Sequence, residues 1–158
     1  MATNTPSTSA APIVVVEDSD EDFDTFCEVA VACGFTRVIH RVASGGDCLL
    51  MLRGESAVRL QLLPSLIVMD LNSHGVDGRE ALVAIKTDVG LKQIPLVVLT
   101  TSANPKDVAF CYQAGANAYH VKPVRYDLYL SLICSLMQYW LGSVALHAAP
   151  AKVDRCSK

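Results

Sequence analysis

Four apolar runs in this chain each stop at a residue suited to phosphate chemistry: IVVV meets Glu17-Asp18, LIVM meets Asp70, LVVL meets Thr100 and YHV meets Lys122-Pro123. Short, continuously apolar runs are the buried strands of parallel sheets, and such sheets bind ligands beyond the carboxyl ends of their strands. As neighbours in one sheet, these runs bring three carboxylates, a hydroxyl and an amine to a single cleft. A carboxylate ending a buried strand costs free energy unless it is paired or metal-bound, and crowded carboxylates repel. A divalent cation is the natural counter-charge, and an all-oxygen donor set points to Mg²⁺, with Mn²⁺ as the alternative. Thr100 can donate a hydrogen bond and Lys122 a point charge to a phosphoryl oxygen. A lone Asp at a strand end is ordinarily a cap and a lone Lys ordinarily solvated. The combination is what points to phosphoryl chemistry.

Asp70 matters most, as the carboxylate that Glu17 and Asp18 can approach from another strand end. Residues 17–24 hold six carboxylates, and Asp18-x-Asp20-x-Asp22 mimics the start of a calcium loop. The calcium reading fails, because Phe23 stands where that loop needs Gly and Val29 where it needs Glu. Asp20, Glu21, Asp22 and Asp24 are better explained as charges favouring a helix N-terminus.

The elements that must position these residues follow from periodicity. Strands are expected at 12–17, 36–42, 65–70, 96–100 and 117–121. Helices are expected at 20–33, from Ser44 to about Leu52, at 79–89, from Asn104-Pro105 to Gln113 and at 125–141. Strictly alternating strands and helices imply an α/β parallel sheet with right-handed crossovers.

With 158 residues the chain is large enough for one full core, and a net charge of -3 with scattered Lys and Arg argues against a nucleic-acid surface. Residues 1–11 read as a disordered leader, not a secretory signal. The six cysteines show no CxxC pair and no zinc spacing, so reduced thiols of a cytoplasmic protein are expected. From Leu128 to Leu146 no residue is charged. The polar stripe Ser131, Ser135, Gln138 and the Gly142-Ser143 interruption favour an over-apolar helix, not a membrane span. Tyr129, Tyr139 and Trp140 are then available to a partner.

VEDS (16–19), LIVMDLN (66–72), DGRE (77–80), VVLTTS (97–102) and GANAYHVKP (115–123) agree in order, spacing and type with the receiver domain of two-component response regulators, which residues 12–141 resemble. The resemblance implies a flavodoxin-like doubly wound (βα)5 fold with strand order 2-1-3-4-5. It also implies Asp70 as phosphoacceptor, Asp18 and Asp70 as Mg²⁺ ligands, Glu17 holding the metal through water, and the Asn72 carbonyl as a further ligand. Thr100 and Lys122 carry over as the phosphoryl-sensing pair, Tyr119 as the switch, and Asn72, Thr101 and Ser102 as residues flanking the acyl phosphate and tuning its lifetime. Such a protein is not an enzyme on a separate substrate; it catalyses its own phosphorylation by a sensor histidine kinase and its own dephosphorylation. DGREAL, LTTSANPKDV, GANAYHVKP and the terminal YWL further resemble the stand-alone regulators partnered with bacterial and cyanobacterial phytochromes. His74 stands where receivers usually carry Pro, which puts the loop geometry in question, and Lys122-Pro123 is a site where a cis peptide is possible.

Two rival readings fit the residues less well. A haloacid-dehalogenase-type phosphatase needs DxDxT after its first strand, whereas EDSDED stands here without the Thr. A pseudo-receiver interaction module does not need the complete acidic and Thr/Lys set. Residues 142–158 are too few for an effector domain, so output through protein contacts is expected, with a homodimer built on the last helix and this extension.

Overall fold

The computed structural model describes residues 10–72, 77–147 and 150. Five strands and five helices alternate: β1 (Ile13–Val16), α1 (Asp20–Ala32), β2 (Ile39–Val42), α2 (Gly45–Arg53), β3 (Leu66–Met69), α3 (Gly78–Thr87), β4 (Leu96–Thr100), α4 (Pro105–Gln113), β5 (Ala118–Val121) and α5 (Tyr126–Met137). The strands form one parallel sheet in the order β2-β1-β3-β4-β5, the expected doubly wound topology. β2 is shorter than expected, because Thr36–Val38 precede the paired register, which begins at Ile39 opposite Ile13.

Alternation along each strand divides the core. Val14, Val16, Ile67, Met69 and Val98 face α2 and α3, packing on Cys48, Met51, Leu52, Ala81, Leu82 and Ile85. Ile13, Val15, Leu66, Val68, Val97 and Leu99 face α1 and α5, meeting Phe26, Val29, Ala30, Ile133 and Leu136. Strands buried on both faces have no solvent side, which is why they read as unbroken apolar runs. The helices start where polar caps allow. Ser19, Ser44, Asp77 and Asn104 accept from the backbone N–H of Asp22, Asp47, Arg79 and Lys106.

Several expectations need correction. Cys33 and Cys134 are joined in a disulfide, with Cα atoms 5.5 Å apart and a sequence separation of 101. Cys33 caps the C-terminus of α1 and Cys134 lies within α5; the two helices pack side by side on one sheet face, a proximity no local spacing encodes. Cys27, Cys48 and Cys111 are free thiols, and burial pushes Cys48 up to about 12. Ala11, assigned to the leader, is buried; residues 1–9 lie outside the described part. Most of the 142–158 extension also lies outside it, although Pro150 bridges Leu62.

The last helix stops at Met137 and continues as one π turn, Gln138–Ser143. Tyr129 is buried in the α1/α5 core and is therefore no surface contact. Tyr139 is exposed, and its ring meets Trp140 edge-on at 5.2 Å. Among the described residues no helix is long and apolar enough to cross a membrane.

Candidate functional site

The topology places β3 between β1 and β4, so the carboxyl ends of these strands and of β5 line one edge. The ladder hydrogen bonds run on past the strands: Asp70 N–H donates to the Val16 carbonyl at 3.1 Å, and Lys122 N–H to the Thr100 carbonyl at 2.7 Å. The polar residues are thus held by the sheet itself. Glu17, Asp70 and Thr100 are all buried.

Lys122 organises the cleft. Its Nζ donates to Glu17 Oε2 at 2.6 Å, to Asp70 Oδ2 at 2.9 Å and to Asp22 Oδ2 at 3.2 Å. Burial pulls the Lys122 amine down, but hydrogen bonding and attraction from Glu17 and Asp70 outweigh it and hold the amine well above its usual range. Burial pushes Glu17 above the ordinary carboxylate range, against the lowering effect of Lys122 and of the Ser19 N–H on Oε1. Lys122–Pro123 is trans, since none of the described peptides is cis. Asp22, by sequence a charge favouring the helix start, joins the site through its contact with Lys122.

On the other side of Asp70, Oδ1 accepts from the Asn72 N–H at 3.0 Å, and Asn72 Nδ2 donates to Thr100 Oγ1 at 3.2 Å. Gly78 explains the DGRE motif: a Cβ there would lie 2.8 Å from the Asp70 carbonyl and 2.9 Å from Leu71 Cα. The start of α3 therefore rests directly on the backbone carrying Asp70, an approach only Gly permits.

Thr101 lines a cavity of about 270 Å³ beside the cleft, with Asp22, Lys122, Pro123, Tyr126 and Tyr129. Ser102 faces elsewhere: its hydroxyl donates to Asp107 Oδ2 at 2.6 Å, and Asp107 also pairs with Arg79 at 2.8 Å. The Ser102 hydroxyl and then Arg79 hold the Asp107 carboxyl below its usual range. Tyr119 is half-buried against the core, with its hydroxyl donating to the Ser102 carbonyl at 2.9 Å. Tyr119, the expected switch residue, is thus already turned inward, and burial raises its phenol. His74 lies outside the described residues.

Oxygen donors from Glu17, Asp18, Asp70 and the Asn72 carbonyl match a hard divalent cation in chemistry. Among the described residues, however, no three acidic, His or Cys side chains are grouped to hold a metal ion; the Glu17, Asp22 and Asp70 carboxylates meet at Lys122 Nζ instead. One residue had no signal in the sequence. Arg41 Nε donates to the Glu17 carbonyl at 2.9 Å and Nη2 to the Asp18 carbonyl at 3.1 Å. Only the three-dimensional pairing of β1 with β2 brings it there.

Comparisons with known proteins agree with this geometry. The model of the response regulator receiver domain matches residues 13–133. Response regulator Rcp1 of Synechocystis sp. is 34% identical over 137 residues, covering 87% of this chain and 93% of Rcp1. The probable methanogenesis regulatory protein FilR2 of Methanothrix harundinacea is 34% identical over 131 residues, 82% of this chain and 83% of FilR2. The phosphorylated cyanobacterial phytochrome response regulator RcpA superposes with a TM-score of 0.79 at 32% identity, over 87% of this chain and 99% of RcpA. The Mn²⁺-bound form of Rcp1 gives the same TM-score, 0.79, and identity, 32%, over 87% of this chain and 99% of that structure.

Proposed function

Because this chain belongs to the response regulator receiver domain family, we propose that Asp70 accepts a phosphoryl group from the phosphohistidine of a sensor histidine kinase. The observation that carries this reading is the buried Lys122 ammonium bound to both Asp70 and Glu17 at the sheet edge where Thr100 ends the next strand. An Asp70 oxygen attacks phosphorus, the P–N bond breaks, the imidazole nitrogen regains a proton, and an acyl phosphate forms on Asp70. Asp70 is presented for attack by the Asn72 N–H on Oδ1 and by the α3 start beneath its backbone. Lys122 Nζ exchanges a carboxylate partner for a phosphoryl oxygen, and Thr100 Oγ1 turns from accepting the Asn72 amide to donating to another.

Receiver domains bind a divalent metal. Glu17, Asp18, Asp70 and the Asn72 carbonyl are the residues that would hold Mg²⁺ here, or Mn²⁺, the ion of the Rcp1 structure. Such an ion supplies charge neutralisation between the anionic carboxylate and the incoming phosphoryl group. Thr100 and Tyr119 are two residues of adjacent strands, and Tyr119 is bonded to the carbonyl two residues beyond Thr100. Movement of Thr100 therefore shifts the Ser102 carbonyl and the Tyr119 hydroxyl together, which reaches the face made by α4, β5 and α5. Thr101 at the cavity wall is the better placed of the two hydroxyls to influence hydrolysis, because Ser102 is held by Asp107.

The similarity of this chain to RcpA, a phosphorylated cyanobacterial phytochrome response regulator, supports a phytochrome-type kinase as donor. Output by protein contacts is supported by the exposed Tyr139 beside Trp140, and a homodimer through this end of α5 is the specific form proposed. The test is labelling by acetyl phosphate and by a phosphorylated phytochrome-type kinase, each with and without Mg²⁺. Label that persists in Asp70→Asn, or that survives metal chelation, overturns the assignment. A monomer by light scattering at tens of micromolar, phosphorylated or not, removes the dimer.

A further inference from the structure

Two cations from outside hold the acidic turn after β1: Lys122 binds the Glu17 and Asp22 side chains, and Arg41 binds the backbone. Arg41 is the third residue of β2, opposite Val15 in the parallel register. The ladder between these strands ends with the Glu17 N–H donating to the Val42 carbonyl at 3.0 Å. Beyond that rung the Arg41 side chain takes over. Nε donates to the Glu17 carbonyl at 2.9 Å, Nη2 to the Asp18 carbonyl at 3.1 Å and Nη1 to Asp20 Oδ1 at 2.6 Å. The guanidinium carbon also sits 5.1 Å from the centre of the Phe23 ring.

These two carbonyls belong to the peptide planes on either side of the Asp18 Cα. Holding both planes sets the backbone dihedrals of Asp18, and these set the direction of its Cβ. We infer that Arg41 is a positioning residue for Asp18, aiming that carboxylate for the divalent cation through the two carbonyls flanking it. The inference rests on the proposed role of Asp18 as a metal ligand. The contact with Asp20 cannot carry the effect: the Asp20 side chain is 87% exposed, and exposed ion pairs contribute little. The carbonyl bonds come from a rigid fork that is only 28% exposed. Lysine cannot reproduce them, since one ammonium cannot present parallel donors to both carbonyls.

The rival is a simple counter-ion for the six carboxylates of residues 17–24, and it has the opposite sign. A cation beside a metal site weakens metal binding by repulsion, so its removal tightens binding. Loss of a positioning residue weakens it, typically by about ten- to a hundredfold. The experiment is Mn²⁺ binding to the unphosphorylated full chain by electron paramagnetic resonance, for wild type, Arg41→Ala, Arg41→Lys and Asp18→Asn, with melting curves to confirm folding. The expected result is binding weakened about tenfold or more in both Arg41 variants, with acetyl-phosphate labelling restored to near the wild-type rate at saturating Mn²⁺. Equal or tighter binding in a folded Arg41 variant overturns the inference, and so does a rate that stays low at saturating metal. If Arg41→Ala does not fold, Arg41→Lys decides by the same criteria. Unchanged binding in Asp18→Asn defeats the underlying site reading; weak binding there with undiminished binding in the Arg41 variants defeats only the role of Arg41.

Discussion

Replacing Lys122 by Met keeps the volume of the side-chain stem and removes the ammonium from between two carboxylates. The Glu17 and Asp70 side chains are 7% and 11% exposed, and each loses a charge-assisted hydrogen bond, of 2.6 and 2.9 Å respectively. Hydrogen bonds to charged groups are worth about 1.5–3 kcal/mol each, and breaking a buried pair from one side costs about 3–5 kcal/mol. The cleft is open on the Asp22 side, where that carboxylate is half exposed, so the lower end applies. A loss of about 3 kcal/mol at neutral pH without metal is expected, equivalent to roughly 6–12 °C in Tm for a chain of this length. The pH dependence has a definite sign. Burial already raises Glu17 above its ordinary 4.5 while Lys122 opposes the rise, so without the ammonium it rises further. A carboxyl whose folded pKa exceeds its unfolded value stabilises the fold increasingly as pH falls through the folded value towards the unfolded one. The deficit of Lys122→Met should therefore shrink from neutral to mildly acidic pH, and Mg²⁺ should also reduce it by supplying the missing charge. In the wild type the Lys122 contribution is present throughout this range, since its folded pKa lies above the ordinary 10.5, and it is lost only as pH rises from 10.5 through that folded value. Urea unfolding at neutral and at mildly acidic pH, with and without Mg²⁺, is the assay. Unaltered stability, or an equal deficit at both pH values, refutes this account of the cleft.

Gly78→Ala places a methyl group within 3 Å of the Asp70 backbone; a loss of about 1–3 kcal/mol is expected in urea melts, with slower labelling by acetyl phosphate. Unfolding wild-type protein without reductant should expose two fewer thiols than after reduction, because Cys33 and Cys134 are paired; Cys134→Ser should lower stability by about 2–4 kcal/mol, read from melts. Tyr119→Phe removes the hydroxyl from the Ser102 carbonyl. A loss of about 1 kcal/mol is expected with the rate of phosphorylation unchanged, and a large fall in that rate would place Tyr119 in the chemistry itself.

The division between sequence and fold follows the range of the interactions. Buried strands must be apolar on both faces and helices must be capped, so Ile13–Val16, Leu66–Met69 and the caps Ser44 and Asn104 announce themselves within a few residues. Once strand order is known, the polar ends Glu17, Asp18, Asp70, Thr100 and Lys122 must share an edge, which made the cleft legible as a set of residue types. What local pattern could not supply is which side chain takes which partner. Cys33 meets Cys134 only because α1 and α5 cover the same sheet face, and Tyr129 is buried because its ring falls on that covered side. Arg41 looks like any strand residue until β2 pairs with β1, and Gly78 like any helix start until α3 comes down on Asp70. These contacts join residues far apart in sequence, and their geometry is decided by how the helices pack on the sheet. The sequence by itself determined which groups could do chemistry and at which edge; only the tertiary structure decided how those groups are held, charged and aimed.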